Sequence, residues 1–327
     1  VSKRAFEKAV QQITKSLDEF QVQYKVCQNP TLEDFENSDF IIVFGGDGDV
    51  LRTFHQMGSK SMPVLGVSEA DGGSFLTEVG VSNFHEALRR VVKGSYEVEE
   101  ANRLGVRIDD KDLPSALNEV AVFPSRSAVM MEYMLQVDGE TIWRDLGDGV
   151  IVATPTGSTA YAMSAGGPMV HLHAPIYVVV PVNSLDVTRR PLIVSDASRI
   201  HVTEISSRYN CEAVIDGTFR AKVKEKVEVL KASQPARLVR LPQVSPTADK
   251  MTRKVRLAEE LRKMPPSTKL ILKTLEYEGP LTQKDLMMKT MLPSRTTRLA
   301  LALLIEKGLV KSRPLLRDTR QRMYYVV

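Results

Sequence analysis

A short apolar strand that ends in a glycine-rich turn is the feature that most limits how this chain can fold. The run reads Ile41-Ile42-Val43-Phe44-Gly45-Gly46-Asp47-Gly48-Asp49. Glycines place no Cβ atoms between backbone N–H groups and a polyphosphate, and they permit backbone angles that other residues resist. The Asp47 carboxylate is suited to bind Mg²⁺ or to accept a proton from an attacking hydroxyl. The turn therefore predicts phosphate chemistry, with a plain strand-to-helix turn as the alternative.

A second segment, Asp148 to Pro168, follows an apolar strand with a dense series of small and hydroxylated residues. Small residues let a ligand lie against the backbone, and hydroxyl groups bind ribose or phosphate. The ring of Tyr161 offers a face for a heterocycle. A Ser/Thr-rich loop without a ligand is the alternative, but the length and the Gly-Gly-Pro punctuation favour a binding loop. The hydroxylated residues are Thr154, Thr156, Ser158, Thr159 and Ser164.

Hydrophobic periodicity divides most of the chain into an α/β part and an all-β part. The pattern predicts helices over Ser2 to Phe20, after Gly48 and over 82–93, and strands over 21–27, 39–44 and 63–67. This alternation predicts a parallel α/β domain over residues 1–94. Many short strands separated by turns predict an all-β domain of two packed sheets over residues 95–242. The two binding segments are expected to meet at a cleft between these domains.

The residues after 242 form a third unit. Apolar residues recur at helical spacing within 243–265, which predicts a linker helix that packs between the subunits of a homo-oligomer. Residues 266–327 then show three helices followed by two strands. Thr282 and Ser294 are good N-caps, and Asp285 completes a capping box with Thr282. The order of elements resembles that of winged helix-turn-helix transcription regulators.

Positive charge is concentrated in this last unit. From residue 266 to 327 there are 12 Lys and Arg against 5 Asp and Glu, a net charge of +7, whereas the full chain carries +4 and the remaining residues therefore carry −3. A basic surface of this kind predicts contact with DNA phosphates, although winged helices also bind proteins. The predicted DNA-binding residues are Arg295, Thr296, Thr297 and Arg298 at the start of the third helix, and Arg317, Arg320 and Arg322 in a basic turn between the strands.

Composition argues against several other classes of protein. The chain is 43% apolar, enough to bury real cores, but no apolar run approaches the ~20 residues that span a bilayer. No secretory leader is visible, so we expect a cytoplasmic protein without a membrane partner. Two cysteines, Cys27 and Cys211, are too few for a disulfide framework. The five histidines lack partners at ligand spacing, so they are interpreted as structural and no metal-ligating residue is predicted.

Five motifs together resemble the NAD kinase family over roughly residues 20–242. The Thr-Pro-Thr-Gly-Ser-Thr-Ala-Tyr segment is highly specific, whereas the Gly-Gly-Asp-Gly turn also occurs in related lipid kinases. The resemblance implies a core of an α/β layer and a β-sandwich. The motifs are Gly45-Gly46-Asp47-Gly48, Asn118-Glu119, Asp148 to Pro168, Ser184-Leu185 through Arg190-Pro191, and Asp216-Gly217.

The resemblance implies that ATP, with Mg²⁺, phosphorylates the adenosine 2′-hydroxyl of NAD to give NADP. It implies that Asp47 is the catalytic aspartate. Such a transfer depends on positioning and charge neutralisation more than on covalent chemistry. The implied ATP phosphate-binding residues are Gly45, Gly46, Gly48 and Arg52. The implied NAD-binding residues are Asn118, Glu119, Asp148, Thr159, Ala160, Tyr161 and Ser164.

Departures from the family pattern keep other functions open. Asp49 stands where the family usually has threonine, Ser68 to Phe75 replaces a usual contributor to the dinucleotide site, and Thr218 replaces a glutamine. Asp49 is expected to repel a polyphosphate unless a metal ion bridges them. The first hypothesis is an NAD kinase with a DNA-binding module. The alternatives are a transcription regulator that senses NAD, NADP or ATP with weak or lost kinase activity, and a kinase for another hydroxylated small molecule.

Overall fold

The computed structural model describes residues 3–58, 60–69, 74–126, 129–241, 264–278, 280–307, 309–315 and 318–326. The chain folds into two compact units, Val1–Lys250 and Met251–Val327. The predicted linker helix over 243–265 lies outside the described residues, except for its last two positions. None of the helices within the described ranges is long and apolar enough to cross a membrane.

The larger unit begins with a layer of helices around a mostly parallel sheet. The elements are α1 (Lys3–Glu19), α2 (Leu32–Glu36), β1 (Ile41–Phe44), α3 (Asp47–Met57), β2 (Pro63–Ser68), β3 (Thr77–Gly80), α4 (Phe84–Val92), β4 (Glu97–Ala101) and β17 (Ala236–Arg240). The strand order is β1-β2-β17-β4, and β3 also pairs with β2. Strands β1, β3 and β17 run parallel to β2, whereas β4 runs antiparallel to β17.

Helices cover both faces of this sheet because successive strand residues point to opposite faces. Val43 and Val64 pack with the apolar side of α3 and with Phe35 of α2. Their neighbours on the opposite face, such as Leu65 and Val67, pack with α1 and α4. The prediction of a parallel α/β layer is confirmed.

The chain returns to this sheet twice, which the sequence did not indicate. Strands β4 and β17 fall within the predicted all-β range 95–242, yet both lie in the first sheet. A period-2 pattern predicts which face of a strand is buried, but not which strand is its partner. The predicted strand over Gln21 to Cys27 was wrong, because these residues are irregular and Tyr24 and Val26 stay exposed.

Two six-stranded antiparallel sheets form the rest of the larger unit. Their orders are β12-β11-β10-β7-β14-β15 and β6-β5-β16-β13-β8-β9, and a shared apolar core lies between them, as predicted for two packed sheets. The elements are β5 (Leu104–Ile108), β6 (Lys111–Ala116), β7 (Glu119–Pro124), β8 (Met131–Val137), β9 (Glu140–Gly147), β10 (Gly149–Ala153), α5 (Tyr161–Ser164), β11 (Ile176–Val182), β12 (Leu192–Ser195), β13 (Ile200–Ser207), β14 (Cys211–Ile215), β15 (Phe219–Val223) and β16 (Val227–Lys231).

Within residues 264–326, as far as the structure describes them, the smaller unit has three helices and a three-stranded sheet in the order β18-β20-β19. Apolar residues from all three helices and from β19 form its core. The elements are α6 (Pro266–Glu278), β18 (Leu281–Thr282), α7 (Gln283–Thr290), α8 (Ser294–Glu306), β19 (Val310–Leu315) and β20 (Asp318–Val326).

One of the two predicted N-caps in the smaller unit is confirmed. The Thr282 hydroxyl accepts from Asp285 N–H at 3.2 Å, and the Asp285 carboxylate accepts from Thr282 N–H at 3.0 Å. Hydrogen bonds from the Thr282 hydroxyl and N–H hold the pKa of Asp285 below its usual value. The prediction for Ser294 was wrong, because Pro293 is the N-cap and Ser294 is the first helical residue. The fixed φ of Pro293 allows it to precede the helix.

Candidate active site

The glycine turn between β1 and α3 leaves an open surface. Gly46 is the N-cap of α3, with φ −98° and ψ −175°. Gly45, Gly46 and Gly48 all lack a positive φ, so this turn does not use the backbone angles that only glycine permits. A Cβ atom built on Gly46 or Gly48 would meet no atom within 4 Å. These two glycines therefore border open space that a ligand can fill.

The Asp47 carboxylate is held by the segment that leads into β3. Its Oδ1 atom accepts from Leu76 N–H at 2.8 Å and from Thr77 N–H at 3.3 Å, and its Oδ2 atom accepts from Phe75 N–H at 3.3 Å. The Ser74 hydroxyl also donates to Oδ1. These hydrogen bonds fix the orientation of Asp47 at the first position of α3.

Asp49 and Arg52 neutralise each other beside the same turn. The Asp49 carboxylate accepts from Gly46 N–H at 2.9 Å and forms an ion pair with the Arg52 guanidinium. Asp49 also covers Gly45, where an added Cβ atom would overlap its carboxylate. The negative charge of Asp49 is therefore compensated within the chain, and the guanidinium of Arg52 is engaged by Asp49.

The second predicted binding loop packs against Asn118. A Cβ atom on Gly157 would lie 2.6 Å from the Asn118 Cα atom, so only glycine fits there. The buried Thr154 hydroxyl donates to Leu117 O at 2.6 Å and accepts from Gly157 N–H at 3.0 Å. The buried Ser158 hydroxyl donates to Pro155 O at 2.7 Å. These hydroxyl groups brace the loop against Asn118.

Asp216 ties the loop around Asn118 to a distant helix. Its Oδ1 atom accepts from Asn118 N–H at 2.7 Å and from Glu119 N–H at 3.1 Å, and its Oδ2 atom accepts from Leu117 N–H at 2.9 Å. The Nε2 atom of His55 in α3 lies 2.8 Å from Asp216 Oδ2. Asp47, which begins α3, and the Asn118-Glu119 pair are thus connected through one buried carboxylate.

The sequence reasoning missed His55. It treated the five histidines as structural because no metal ligands stood at a suitable spacing. A usable signal was that His55 follows Leu51 by four residues and so borders the buried stripe of α3. A polar side chain at such a position needs a buried hydrogen-bonding partner. The sequence gives no indication that this partner is Asp216.

Arg103 is a second buried polar residue that sequence reasoning missed. Its guanidinium donates to Phe54 O at 3.1 Å near the end of α3 and to Ser115 O at 2.9 Å in β6. Burial lowers the pKa of Arg103, and the nearby Asp216 carboxylate opposes that shift. Arg103 therefore holds the end of α3 against the strand that precedes Leu117.

Tyr161 packs on the outer face of the sheet that contains β7 and β10, and Asp148 lies directly before β10. The rings of Tyr161 and Phe123 are 5.7 Å apart, and a Cβ atom on Gly149 would overlap the Phe123 ring. Asp148 precedes Gly149 and accepts from Asn183 Nδ2 at 2.7 Å. Ala153 in β10 is the strand partner of Glu119 in β7. Asp148 precedes Ala153 by five residues of extended chain, so Asp148 and Ala153 lie about 17 Å apart.

The remaining predicted NAD-binding residues differ in exposure. Thr159 is buried, and its hydroxyl donates to Thr156 O at 3.4 Å. Ala160 is partly buried, whereas Ser164 is exposed at the end of α5. The ends of this predicted set thus form a row along β10, from Asn118 and Glu119 beside Ala153 to Asp148 before Gly149, instead of a compact cluster.

The predicted DNA-binding residues are only partly accessible. Arg295 and Arg298 are exposed on α8, and Thr296 is partly buried. Thr297 is buried and its hydroxyl donates to Pro293 O at 3.2 Å, so the prediction that it contacts DNA was wrong. Arg317 lies outside the described residues. Arg320 and Arg322 lie in β20 and not in a turn, because this strand already begins at Asp318.

No protein cage for a metal ion occurs among the described residues. Across these residues, no group of three or more His, Cys, Asp or Glu side chains is placed to hold a cation. Mg²⁺ usually binds one or two carboxylates together with substrate phosphates, and does not need such a cage.

The two kinds of glycine give a direct test of the site geometry. Gly157→Ala is expected to lower the free energy of unfolding by about 1–3 kcal/mol, because its Cβ atom would overlap backbone that cannot move easily. Gly48→Ala, the matched control inside α3, is expected not to lower it, because alanine favours a helix more than glycine and its Cβ atom would meet no atom within 4 Å. Calorimetric melting of both variants is the measurement. Equal destabilisation of the two variants would contradict the described close approach at Gly157.

Comparison with known families agrees with this architecture. The family model for the ATP-NAD kinase N-terminal domain matches residues 3–96, and that for the ATP-NAD kinase C-terminal domain matches residues 117–241. The NAD kinase of Methanothermobacter thermautotrophicus is 41% identical over 213 residues, which are 64% of this chain and 75% of the relative. The NAD kinase of Nocardia farcinica is 38% identical over 225 residues, which are 67% and 69% of the two chains.

Solved structures show the same fold. A crystal structure of an NAD kinase from Archaeoglobus fulgidus in complex with ATP has a TM-score of 0.66 and 31% identity, and covers 76% of this chain and 94% of that one. A yeast NADH kinase complexed with NADH has a TM-score of 0.66 at 20% identity, covers 79% of this chain and 84% of that one, and supports the fold alone. From the two matched family models and the relatives at about 40% identity, we conclude that this chain belongs to the ATP-NAD kinase family of enzymes.

Proposed function

We propose that this enzyme transfers the γ-phosphoryl group of ATP to the 2′-hydroxyl of NAD and so forms NADP. The observation that carries this proposal is the connection of Asp47, through α3, His55 and Asp216, to Asn118 and Glu119. This connection joins an acidic side chain beside an open glycine turn to a loop suited to a nucleoside. The names of the relatives and the ATP complex of the Archaeoglobus fulgidus enzyme support the same reaction.

Asp47 is proposed as the general base for the 2′-hydroxyl. A carboxylate must lie within hydrogen-bonding reach of the proton that it removes, and its orientation must be fixed. The N–H groups of Phe75, Leu76 and Thr77 hold Asp47 in one orientation. Ser74 and Phe75 therefore help to orient Asp47, although their segment departs from the family pattern.

The ATP phosphates are proposed to bind at the open side of Gly46 and Gly48, at the N-terminus of α3. Helix N-termini attract anions through free N–H groups and the helix dipole. An incoming phosphate would compete with Asp49 for Gly46 N–H and for the Arg52 guanidinium. Arg52 would then exchange a carboxylate partner for a phosphate partner.

NAD is proposed to lie along the row on the outer face of the sheet. In this arrangement Asn118 and Glu119 bind the adenosine, and the ring of Tyr161 offers a stacking surface. Thr159, Ala160 and Ser164 would line the pocket between them. The separation of about 17 Å between Asp148 and the Asn118-Glu119 end suits an elongated dinucleotide.

Mg²⁺ is proposed to arrive with ATP. When bound it would neutralise charge on the phosphates. Asp47 and Asp49 are the carboxylates nearest to the open turn that could face such an ion. Asp49 would have to leave its ion pair with Arg52 to do so.

Loss of the proposed base is expected to remove activity. Asp47→Asn should lower kcat for NADP formation by about 10²- to 10⁴-fold, because an amide cannot accept the hydroxyl proton. NAD, ATP and Mg²⁺ are incubated with each protein and NADP is measured, and calorimetric titration with NAD controls for binding. Full activity in the variant would refute the role of Asp47.

Removal of the Asp49 charge is expected to strengthen ATP binding. Asp49→Thr keeps a side-chain oxygen at the third position of α3 but frees Arg52, so the KM for ATP should fall by roughly 3-fold, a modest effect because both side chains are about half exposed. Arg52→Ala, the matched control, should raise it. The KM for NAD, measured at fixed free Mg²⁺, should change little in either variant. An unchanged or higher KM for ATP in Asp49→Thr would contradict the proposed competition.

We also propose that the smaller unit is a winged-helix module that binds DNA through α8. Its order of three helices and a β-hairpin, its net charge of +7 and the exposure of Arg295 and Arg298 support this proposal. In this view Arg320 and Arg322 contact DNA from the hairpin. If the protein binds DNA and NAD but forms no NADP, the sensor alternative replaces the kinase.

Arg298 tests the DNA-binding module. Arg298→Ala should cost about 1–3 kcal/mol of DNA-binding free energy, because it removes a groove or phosphate contact at the start of α8. Lys307→Ala, at the far end of the same helix, is the control and should cost less. Fluorescence anisotropy with random-sequence duplexes over a range of salt concentrations measures both. Affinity that does not depend on salt would argue against contact with phosphates.

A further inference from the structure

His55 lies at the junction of the two halves of the proposed site. It is the ninth residue of α3, eight residues after Asp47, which is a rise of about 12 Å along the helix. Its Nε2 atom lies 2.8 Å from Asp216 Oδ2, and the side chains are 8% and 0% exposed. Water therefore competes little for this hydrogen bond.

The loop that carries Asn118 and Glu119 is attached to α3 by this contact. Asp216 accepts from the N–H groups of Leu117, Asn118 and Glu119 at 2.7–3.1 Å. A displacement of Asp216 would consequently displace the backbone of all three residues. His55 is the side chain of α3 that fixes where Asp216 lies.

Apolar packing between α3 and this loop does not define their register by itself. Leu117 shares an apolar cluster with Val50 and Phe54 of α3. Such packing is non-directional, so it holds the helix near the loop but resists small slides and rotations weakly. A hydrogen bond requires both distance and angle to be correct. The contact between His55 and Asp216 therefore supplies the directional part of this interface.

Thr218 lies beside the other ring nitrogen of His55. The Thr218 hydroxyl lies 3.4 Å from His55 Nδ1. A neutral imidazole can accept at Nδ1 from Thr218 and donate from Nε2–H to Asp216. Both ring nitrogens consequently have a partner, and the orientation of the ring is fixed from two sides.

We propose that His55 is a positioning residue that aligns Asp47 with the hydroxyl of the substrate held at Asn118 and Glu119. This rests on the proposed function. His55 touches no reacting atom and acts through Asp216. Its loss should therefore lower kcat far more than it raises the KM for ATP, because misplacement by about 1 Å can cost up to 10²-fold in rate.

Three substitutions separate positioning from folding. Gln places its amide Nε2 donor at nearly the reach of the histidine Nε2, Asn is one methylene shorter, and Met fills a similar volume without a donor. Arg103 and the apolar side of α3 still hold the helix in every variant. His55→Asn and His55→Met should lower kcat by about 10- to 100-fold with the KM for ATP within about 2-fold. His55→Gln should retain kcat within about 3-fold of the unsubstituted enzyme.

Amide hydrogen exchange provides a readout that does not need turnover. Exchange at Leu117, Asn118 and Glu119 should be faster in His55→Asn and His55→Met, but not in His55→Gln. Melting temperatures identify any variant that fails to fold. If only one of the Asn and Met variants folds, that variant is compared with the Gln variant. An unchanged kcat in the folded Asn or Met variant, or a Gln variant no better than Asn, would overturn the proposal.

The same experiment distinguishes failure of the proposed function. If the unsubstituted enzyme forms no NADP from NAD and ATP, the proposed reaction is wrong, and the exchange measurement still decides whether His55 holds the loop. Equal exchange in all variants would overturn the positioning role whatever the reaction is. Faster exchange in only the Asn and Met variants would support it.

Discussion

The buried carboxylate of Asp216 is the interaction on which the candidate site depends. A buried carboxylate without partners costs several kcal/mol, so its surroundings must supply donors. Three consecutive backbone N–H groups and His55 supply them here. Asp216 and Gly217 both have positive φ angles, 48° and 67°, and this tight turn directs the carboxylate back towards β7. The turn after β14, the loop before β7 and α3 therefore form one connected structure.

Acidic side chains repeatedly organise backbone N–H groups in this chain. Asp47 accepts from the segment before β3, Asp49 from Gly46, and Asp109 from three residues of the turn before β16. For Asp109, these backbone hydrogen bonds outweigh partial burial and keep its pKa below the usual value. Only the Asp49 contact lies where an anionic ligand is proposed to bind. Asp49 therefore differs from Asp47 and Asp109, because a bound phosphate would compete with it for its N–H donor.

The sequence predicted local structure well and long-range structure poorly. The apolar run Ile41 to Phe44 and the helical periodicity of Ser2 to Phe20 reflect nearby residues, and both predictions were confirmed. The contact of His55 with Asp216 spans 161 positions, and no periodicity or spacing contains it. The same limit explains β4 and β17, because a strand pattern does not name its partner. Thr297 shows the limit within a helix, where its inward direction was set by packing against the core of the smaller unit.

The glycines of the two binding motifs differ in whether the fold itself requires them. Gly149 lies against the Phe123 ring and Gly157 lies against the Asn118 backbone, so folding alone requires glycine at both positions. A Cβ atom on Gly46 or Gly48 would meet no atom within 4 Å, and both residues have ordinary backbone angles, so folding alone does not require glycine there. A glycine that packing and backbone conformation leave unexplained points to a molecule outside the chain. By this reasoning the turn at Gly46 carries the stronger structural argument for a ligand, although the segment around Gly157 is the more specific motif.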